Sequence, residues 1–314
     1  MKILVTGGGG FIGKHLVKVL SSTEDNQVTV LDNFSTSLEL DFKELENLKN
    51  VTLIKWDVTT AFTFDCDVIF NLACPASPVQ YQKNPVETAR TNFLGTLHAL
   101  ELARQQNAVM VQASTSEVYG DPKVSPQVES YWGNVNPIGI RSCYDEGKRV
   151  AETLCFDFHR EFGTSIKVAR IFNTYGPGMA FNDGRVVSNF IIQAIKNSDI
   201  SIFGKGEQTR SFCYVSDTVN ALIALAFTSL DITGPINIGN PNEITIRTLC
   251  EEVLSITKSK SLLSFHELPA DDPVQRKPDI RLASTILGWA PEIGLQKGLE
   301  LTIADFRHRL ITTK

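Results

Sequence analysis

Lys2-Ile3-Leu4-Val5-Thr6-Gly7-Gly8-Gly9-Gly10-Phe11-Ile12-Gly13 carries the fold class of this chain. Three bare aliphatic residues read as a buried strand, and it runs into a glycine turn with Gly7, Gly10 and Gly13 in GxxGxxG spacing. Phe11–Leu20 then has the pattern of a helix. A glycine cluster alone is compatible with a plain turn. Between a strand and a helix, at the start of a βαβ unit, it reads as a dinucleotide loop: backbone N–H groups approach a pyrophosphate, and the helix N-terminus favours its charge. Asp32 closes the next strand about 20 residues beyond the glycines. A carboxylate there accepts both adenosine ribose hydroxyls and repels a 2′-phosphate, so the expected cofactor is NAD rather than NADP. Asp57 is placed either to meet the adenine or simply to start a turn. Phe11, Ile12, Asn33, Val58, Leu72 and Ala73 complete the candidate cofactor set.

Beyond this segment, strands are expected at Lys2–Val5, Gln27–Leu31, Val51–Lys55, Val68–Asn71, Val109–Gln112 and Lys167–Ile171. They lack clean polar alternation, as a sheet covered on both faces requires. Helices are expected at Phe11–Leu20, Pro85–Gln105 and Tyr144–Glu161. The fold class is therefore α/β, a Rossmann-type doubly wound parallel sheet. The NAD-binding domain is assigned to residues 1–173 and a smaller, mainly substrate-binding lobe to 174–314. Further helices fall at Val187–Lys196, Asp217–Thr228, Thr245–Thr257 and Gly298–Arg309, and a segment near 235–240 is a candidate to rejoin the main sheet.

The 314 residues are 42% hydrophobic and 21% charged, with a net charge of −5, enough for a full core and against wholesale disorder. The acidic balance argues against a nucleic-acid or anionic-membrane partner. The N-terminal apolar run breaks into glycines too soon for a signal peptide. Six cysteines show no CxxC or metal-ligand spacing, so they are read as reduced thiols of a cytoplasmic protein, and no metal is expected.

Tyr144 and Lys148 stand four residues apart on one helix face. An ordinary tyrosine has a pKa of about 10. A neighbouring ammonium and a nicotinamide cation would stabilise the phenolate and make it a usable base, and Lys148 is also in reach of the nicotinamide ribose. The strand Val109–Gln112 leads into Ala113-Ser114-Thr115-Ser116-Glu117, at the strand end where doubly wound folds bind ligands.

These residues, with Asn173-Thr174-Tyr175-Gly176-Pro177, resemble an extended short-chain dehydrogenase/reductase, and within it the UDP-glucuronate decarboxylase (UDP-xylose synthase) family. The resemblance extends over Asn71–Pro78, Tyr131–Gly139, Cys143–Glu152, Asn182–Phe190, Gln208–Arg210 and Arg276–Ile280, nearly the whole chain. It implies a closed redox cycle on UDP-glucuronate. Tyr144, with Thr115 in its proton network, takes the 4-hydroxyl proton while C4 hydride passes to NAD. The 4-ketone lies β to the carboxylate, so CO₂ leaves an enolate; C5 is protonated, and hydride returns to C4. By the same resemblance Glu117 and Arg276 act around C5 and the carboxylate. Asn173, Arg185 and Arg210 bind the UDP moiety, Arg90 lies near the sugar, and the protein is a homodimer through the Pro85–Gln105 and Tyr144–Glu161 helices.

Three departures stand out. Ser37-Leu38-Glu39 replaces a glycine and basic residues beside the cofactor phosphates. Glu87 and Arg90 stand where lysines are usual, and Asn84, Pro85 and Glu87 match a capping box. Gly178 and Ala180 stand where arginine and histidine are usual, which puts the surroundings of the nucleotide or sugar in question and keeps an altered, for example N-acetylated, uronate as the alternative substrate. Rival activities are a UDP-sugar 4-epimerase and a 4,6-dehydratase; the latter needs an acid where Ser116 stands. A non-catalytic NAD-binding regulator would be expected to lack Tyr144 or Lys148.

Overall fold

The computed structural model describes residues 1–37, 39–268 and 275–312; Leu38 of the departing segment lies outside the described residues. Six strands, β1 (Lys2–Thr6), β2 (Gln27–Asp32), β3 (Val51–Lys55), β4 (Val68–Asn71), β5 (Val109–Thr115) and β6 (Ile166–Ile171), form a parallel sheet with a seventh, Ile236–Ile238. The order is Ile236–Ile238, β6, β5, β4, β1, β2, β3. The order reverses beside β1, so β1 and β4 open a crevice at their C-terminal ends, where such sheets bind ligands.

Successive side chains of a strand point to opposite faces, and the core divides accordingly. Ile3, Val5, Val28, Val30 and Phe70 join Leu16, Val17 and Leu20 of the first helix and Val219 and Leu222 on one face. Leu4, Leu31, Ile69 and Met110 join Ala99, Leu100, Ala103 and Cys155 on the other. This two-sided burial explains the bare aliphatic strands.

The later part of the chain packs on the sheet as well. It sends helix Val215–Ala226 back against β5 and β6 and adds Ile236–Ile238 to the sheet edge, in register Ile236 to Ala169. Smaller sheets outside it join Gln275–Arg276 to Thr209–Ser211 and Leu263–His266 to Ile200–Phe203.

The helix expected over Pro85–Gln105 is interrupted. Pro85–Arg90 passes into a π turn over Thr91–Gly95 before α-helix resumes at Thr96–Gln106. A π turn inserts one residue into the helical register. Here it brings Asn92 against Gly147 of helix Ser142–Phe162, where a Cβ would lie 2.7 Å from the amide nitrogen. The capping box is also absent: the Asn84 side chain makes no cap bond, and Glu87 pairs instead with Arg90 at 3.5 Å. No helix among the described residues is long and apolar enough to cross a membrane.

Candidate active site

A cavity of about 980 Å³ runs from the glycine loop across the strand ends into the second half of the chain. At its first end Gly7 adopts φ +68°, and a Cβ on Gly13 would fall 2.3 Å from the Gly7 carbonyl. Only glycines allow this turn to lie so tightly on the start of the helix. Asp32 is buried; its carboxylate accepts N–H bonds from Gly9 at 2.9 Å and Phe34 at 2.7 Å. Burial nevertheless holds its pKa above the usual carboxylate range. Phe11, Ile12, Asn33, Val58, Leu72 and Ala73 line the same end. Asp57 lines it too while starting a turn, its carboxylate accepting from Thr59 N at 2.9 Å.

This cradle fits a dinucleotide. The Gly13 contact leaves backbone, not side chain, at the helix N-terminus, and Asp32 is anchored at the end of β2 by two N–H groups.

In mid-cavity, Thr115 ends β5 and caps the short turn Ser116–Tyr119, its hydroxyl accepting from Glu117 N at 3.2 Å. Thr115 also favours the ionised form of the neighbouring Tyr144 phenol. Lys148, one turn on, donates to the Ala113 carbonyl at 2.9 Å and lies 5.8 Å from the Tyr144 ring. The spacing of the pair predicts a depressed phenol. In the folded chain burial, followed by the Cys74 thiol, holds Tyr144 above its usual value, and burial lowers Lys148. The physical reason is that both groups are buried and the ammonium is anchored on a backbone carbonyl.

Glu117 sits between two guanidiniums. Arg276 donates from Nη2 at 2.9 Å and Arg141 from Nη2 at 2.7 Å, both to Oε2. Burial opposes the charge, but Arg276, Arg141 and Arg210 together hold the carboxyl below its usual range. Arg276 is 1% exposed, and its other nitrogen donates to the Ser116 and Gly120 carbonyls at 3.0 and 2.9 Å. The arginine of an ordinary-looking polar loop is thus the largest fully buried side chain among the described residues. Its bonds fix Glu117 and the turn around it.

At the far end Asn173, Arg185 and Arg210 line the cavity. Arg185 is paired with Asp183, which accepts from its Nη2 at 2.8 Å. Arg210 donates to its own neighbour's carbonyl, Thr209 O, at 2.8 Å. Arg90 is the exception: it does not line the cavity, its side chain is 54% exposed, and it pairs with Glu87 on a solvent-facing turn. Glu87, Thr88 and Thr91 of the same helix do face the cavity.

The space left by the missing side chain of Gly178 is taken by Lys14. At the glycine's φ of +80° the absent Cβ points 2.2 Å from the Lys14 ammonium, which donates to the Gly178 carbonyl at 2.8 Å.

Two cavity residues escape the sequence reading. Tyr81 stacks on Tyr144, and Arg141 holds Glu117. Arg141 lies between two recognisable segments, and its only local signal is the i,i+4 spacing to Asp145. Tyr81 carries no motif; only the tertiary fold brings it to the site.

The model of the NAD dependent epimerase/dehydratase family matches residues 3–239. UDP-glucuronic acid decarboxylase 6 of Arabidopsis thaliana is 54% identical over 310 residues, 99% of this chain and 90% of that protein. UDP-glucuronic acid decarboxylase 1 of Xenopus tropicalis is 48% identical over 309 residues, 98% of this chain and 73% of that protein. Among solved structures, the UDP-glucuronic acid 4-epimerase of Bacillus cereus, in complex with UDP-glucuronic acid and NAD, superposes with a TM-score of 0.89 at 28% identity. That match covers 98% of this chain and 99% of the other. The UDP-glucose 4-epimerase of Thermotoga maritima with UDP-glucose gives 0.89 at 28%, covering 99% and 100%.

Proposed function

The chain belongs to the UDP-glucuronic acid decarboxylases within the NAD dependent epimerase/dehydratase family, and on that premise we propose that it converts UDP-glucuronate to UDP-xylose and CO₂. The observation that carries the reading is the single cavity that joins the glycine cradle, the Thr115–Tyr144–Lys148 group and the Glu117–Arg276 pair. NAD is the cofactor; when bound it supplies the acceptor and donor of hydride at C4 and a positive charge near the phenol.

The chain's own residues do the rest. Gly7, Gly10 and Gly13 leave backbone N–H groups for the pyrophosphate, and Asp32 takes the ribose hydroxyls. Tyr144 receives the 4-hydroxyl proton, with Thr115 sharing the hydrogen bond. The phenol is raised by burial, so its deprotonation waits on positive charge arriving beside it. Lys148, anchored on Ala113, orients the nicotinamide ribose. Glu117, kept anionic by its guanidiniums, stands beside the substrate carboxylate, and like charges favour its loss as CO₂. Asn173, Arg185 and Arg210 hold the UDP group, whose diphosphate suits guanidinium forks.

Ser116 is 2% exposed and carries no acid to expel a 6-hydroxyl, which disfavours 4,6-dehydration. Lys14 fills the space beside Gly178, while Ala180 lines the cavity. All six cysteines are free, which suits the cytosol. The homodimer would be built on the Pro85–Gln106 and Ser142–Phe162 segments, where Phe93 and Phe162 are 40% and 39% exposed.

The test is product analysis by NMR after incubation with UDP-glucuronate and catalytic NAD. UDP-xylose with CO₂ release is expected; unchanged substrate, or a UDP-uronate inverted at C4, would overturn the reading.

A further inference from the structure

Residues 177–185 run along the wall of the cavity, and Gly178, Met179, Ala180, Asp183, Gly184 and Arg185 line it. The segment belongs to no strand, so no ladder satisfies its backbone. Side chains from two helices do so instead. Helix Phe11–Ser21, which begins at the glycine turn, sends His15 Nε2 to the Pro177 carbonyl at 2.9 Å and the Lys14 ammonium to the Gly178 carbonyl at 2.8 Å. Helix Leu295–Thr312 supplies the other side. Asp305 Oδ2 accepts from Gly178 N at 2.8 Å, and Arg309 Nη2 donates to the Met179 carbonyl at 2.9 Å. Backbone groups away from water must find partners, so a loop without sheet neighbours sits where its partners put it.

Asp305 and Arg309 act as one unit. They stand one helical turn apart and pair, Nη2 to Oδ2, at 2.6 Å. Arg309 is 6% exposed. Its guanidinium packs on the Phe181 and Phe306 rings, 4.6 and 4.8 Å from their centroids, and those rings meet edge to face at 5.1 Å. Burying a guanidinium is costly unless its charge is paired and its donors are bonded. Here the pairing lies within the helix, while the bond to Met179 leaves it for the cavity wall. Neither Asp305 nor Arg309 lines the cavity itself, so their effect on a bound molecule passes through 177–185.

The far end of the segment carries Arg185. The Asp183 carboxylate accepts from Arg185 Nη2 at 2.8 Å and from its backbone N at 3.3 Å. The guanidinium lies 5.7 Å from the Phe11 ring, and Gly184 packs so closely on Val79 that a Cβ there would fall 2.5 Å from it. Arg185 is thus fixed within the segment, and the segment is fixed against the two helices.

We propose that Asp305 and Arg309 are positioning residues for substrate binding: from outside the cavity they hold 177–185 in place and, through it, set where Arg185 meets the UDP group. The proposal rests on the decarboxylase reading and its assignment of Arg185 to UDP. A binding group displaced by about 1 Å loses up to about a hundredfold. With Lys14 and His15 still holding the other side, the loss should be smaller.

The experiment compares Arg309→Met with the wild type. Methionine keeps an apolar side chain on the two rings and removes the donor to Met179. KM for UDP-glucuronate should rise about tenfold, with kcat within about twofold, the pattern of lost binding rather than lost chemistry. Calorimetry of the NAD-loaded enzyme with UDP, which needs no turnover, should show binding weakened by the same factor. Arg309→Lys, which can still donate to the Met179 carbonyl, should restore most of the affinity.

Wild-type KM and UDP affinity in Arg309→Met, at whatever Tm, would overturn the proposal, as would a fall in kcat at unchanged KM. If that variant fails to fold, Asp305→Ala decides. It removes the acceptor for Gly178 N from a side chain 22% exposed, and it should raise KM about threefold; an unchanged KM would overturn the proposal equally. Failure of the wild type to make UDP-xylose would instead overturn the decarboxylase reading, and the UDP titrations would still judge the positioning role.

Discussion

Tyr81 lies flat on Tyr144, with ring centroids 4.9 Å apart and planes 4° from parallel. The Tyr144 ring is therefore clamped from outside its own helix, by a residue of the four-residue helix Pro78–Tyr81. Replacing Tyr81 by Leu keeps apolar bulk and loses the stacked face, a contact worth about 1 kcal/mol. We expect a modest stability loss in urea titration, and a kcat reduced about tenfold with KM for UDP-glucuronate little changed.

Asp32 organises both the glycine loop and the following turn through Gly9 N and Phe34 N. Asp32→Ala removes a charged acceptor, and hydrogen bonds to charged groups contribute about 2 kcal/mol, roughly a thirtyfold change in affinity. NAD binding, followed by equilibrium dialysis, should weaken by about that factor, and discrimination against NADP should narrow. Unchanged discrimination would place the determinant elsewhere.

Glu152 and Arg170 form a forked ion pair with side chains 10% and 11% exposed, joined by Ser114 and by the Tyr119 hydroxyl. Removing one partner of such a pair strands the other charge, at a cost of about 3–5 kcal/mol. Arg170→Met should lower Tm sharply, while Arg170→Met with Glu152→Met should recover much of the loss. Equal Tm values for the single and double variants would show that stranded charge is not the cause.

Lys14 and Gly178 should behave as a coupled pair. Gly178→Ala meets the Lys14 ammonium and places a side chain at φ +80°, a strain of about 1–3 kcal/mol. Adding Lys14→Ala relieves the contact but not the backbone strain. The double-variant cycle should therefore show a favourable coupling in thermal melts and still fall short of the wild type.

Asp145 sets a pH dependence of stability. Its folded-state pKa, about 7, lies above the ordinary value of 3.8, so between those values the folded chain binds more protons than the unfolded one. Its contribution is full below about pH 4 and is lost as pH rises towards 7. The Tm of wild type should fall relative to Asp145→Asn across that window and run parallel above it.

Much of this molecule is legible in its sequence because the sheet is covered on both faces. Val68–Asn71 is buried at every position, and a strand of that kind writes itself as an unbroken apolar run. The glycine loop is legible for a different reason: Gly7 and Gly13 are demanded by backbone contacts of the turn itself. Arg276 is singled out only by the family resemblance, because its partners, Glu117 and the Ser116 and Gly120 carbonyls, lie more than 150 residues earlier. The Thr91–Gly95 π turn is invisible for a similar reason. The close approach of Asn92 and Gly147 that accompanies it comes from helix packing, which the local pattern does not record.

The edge strand Ile236–Ile238 bears on how the chain is made. On the ribosome β6 emerges about 65 residues before the strand that covers its open side. At 5–20 residues per second, that leaves an unpaired parallel edge exposed for roughly 3–13 s. A fragment ending at residue 173 would keep that edge permanently, and we expect it to aggregate where the full chain does not. For the nascent protein, the most vulnerable moment falls after the nucleotide-binding half has been synthesised and before it has been sealed.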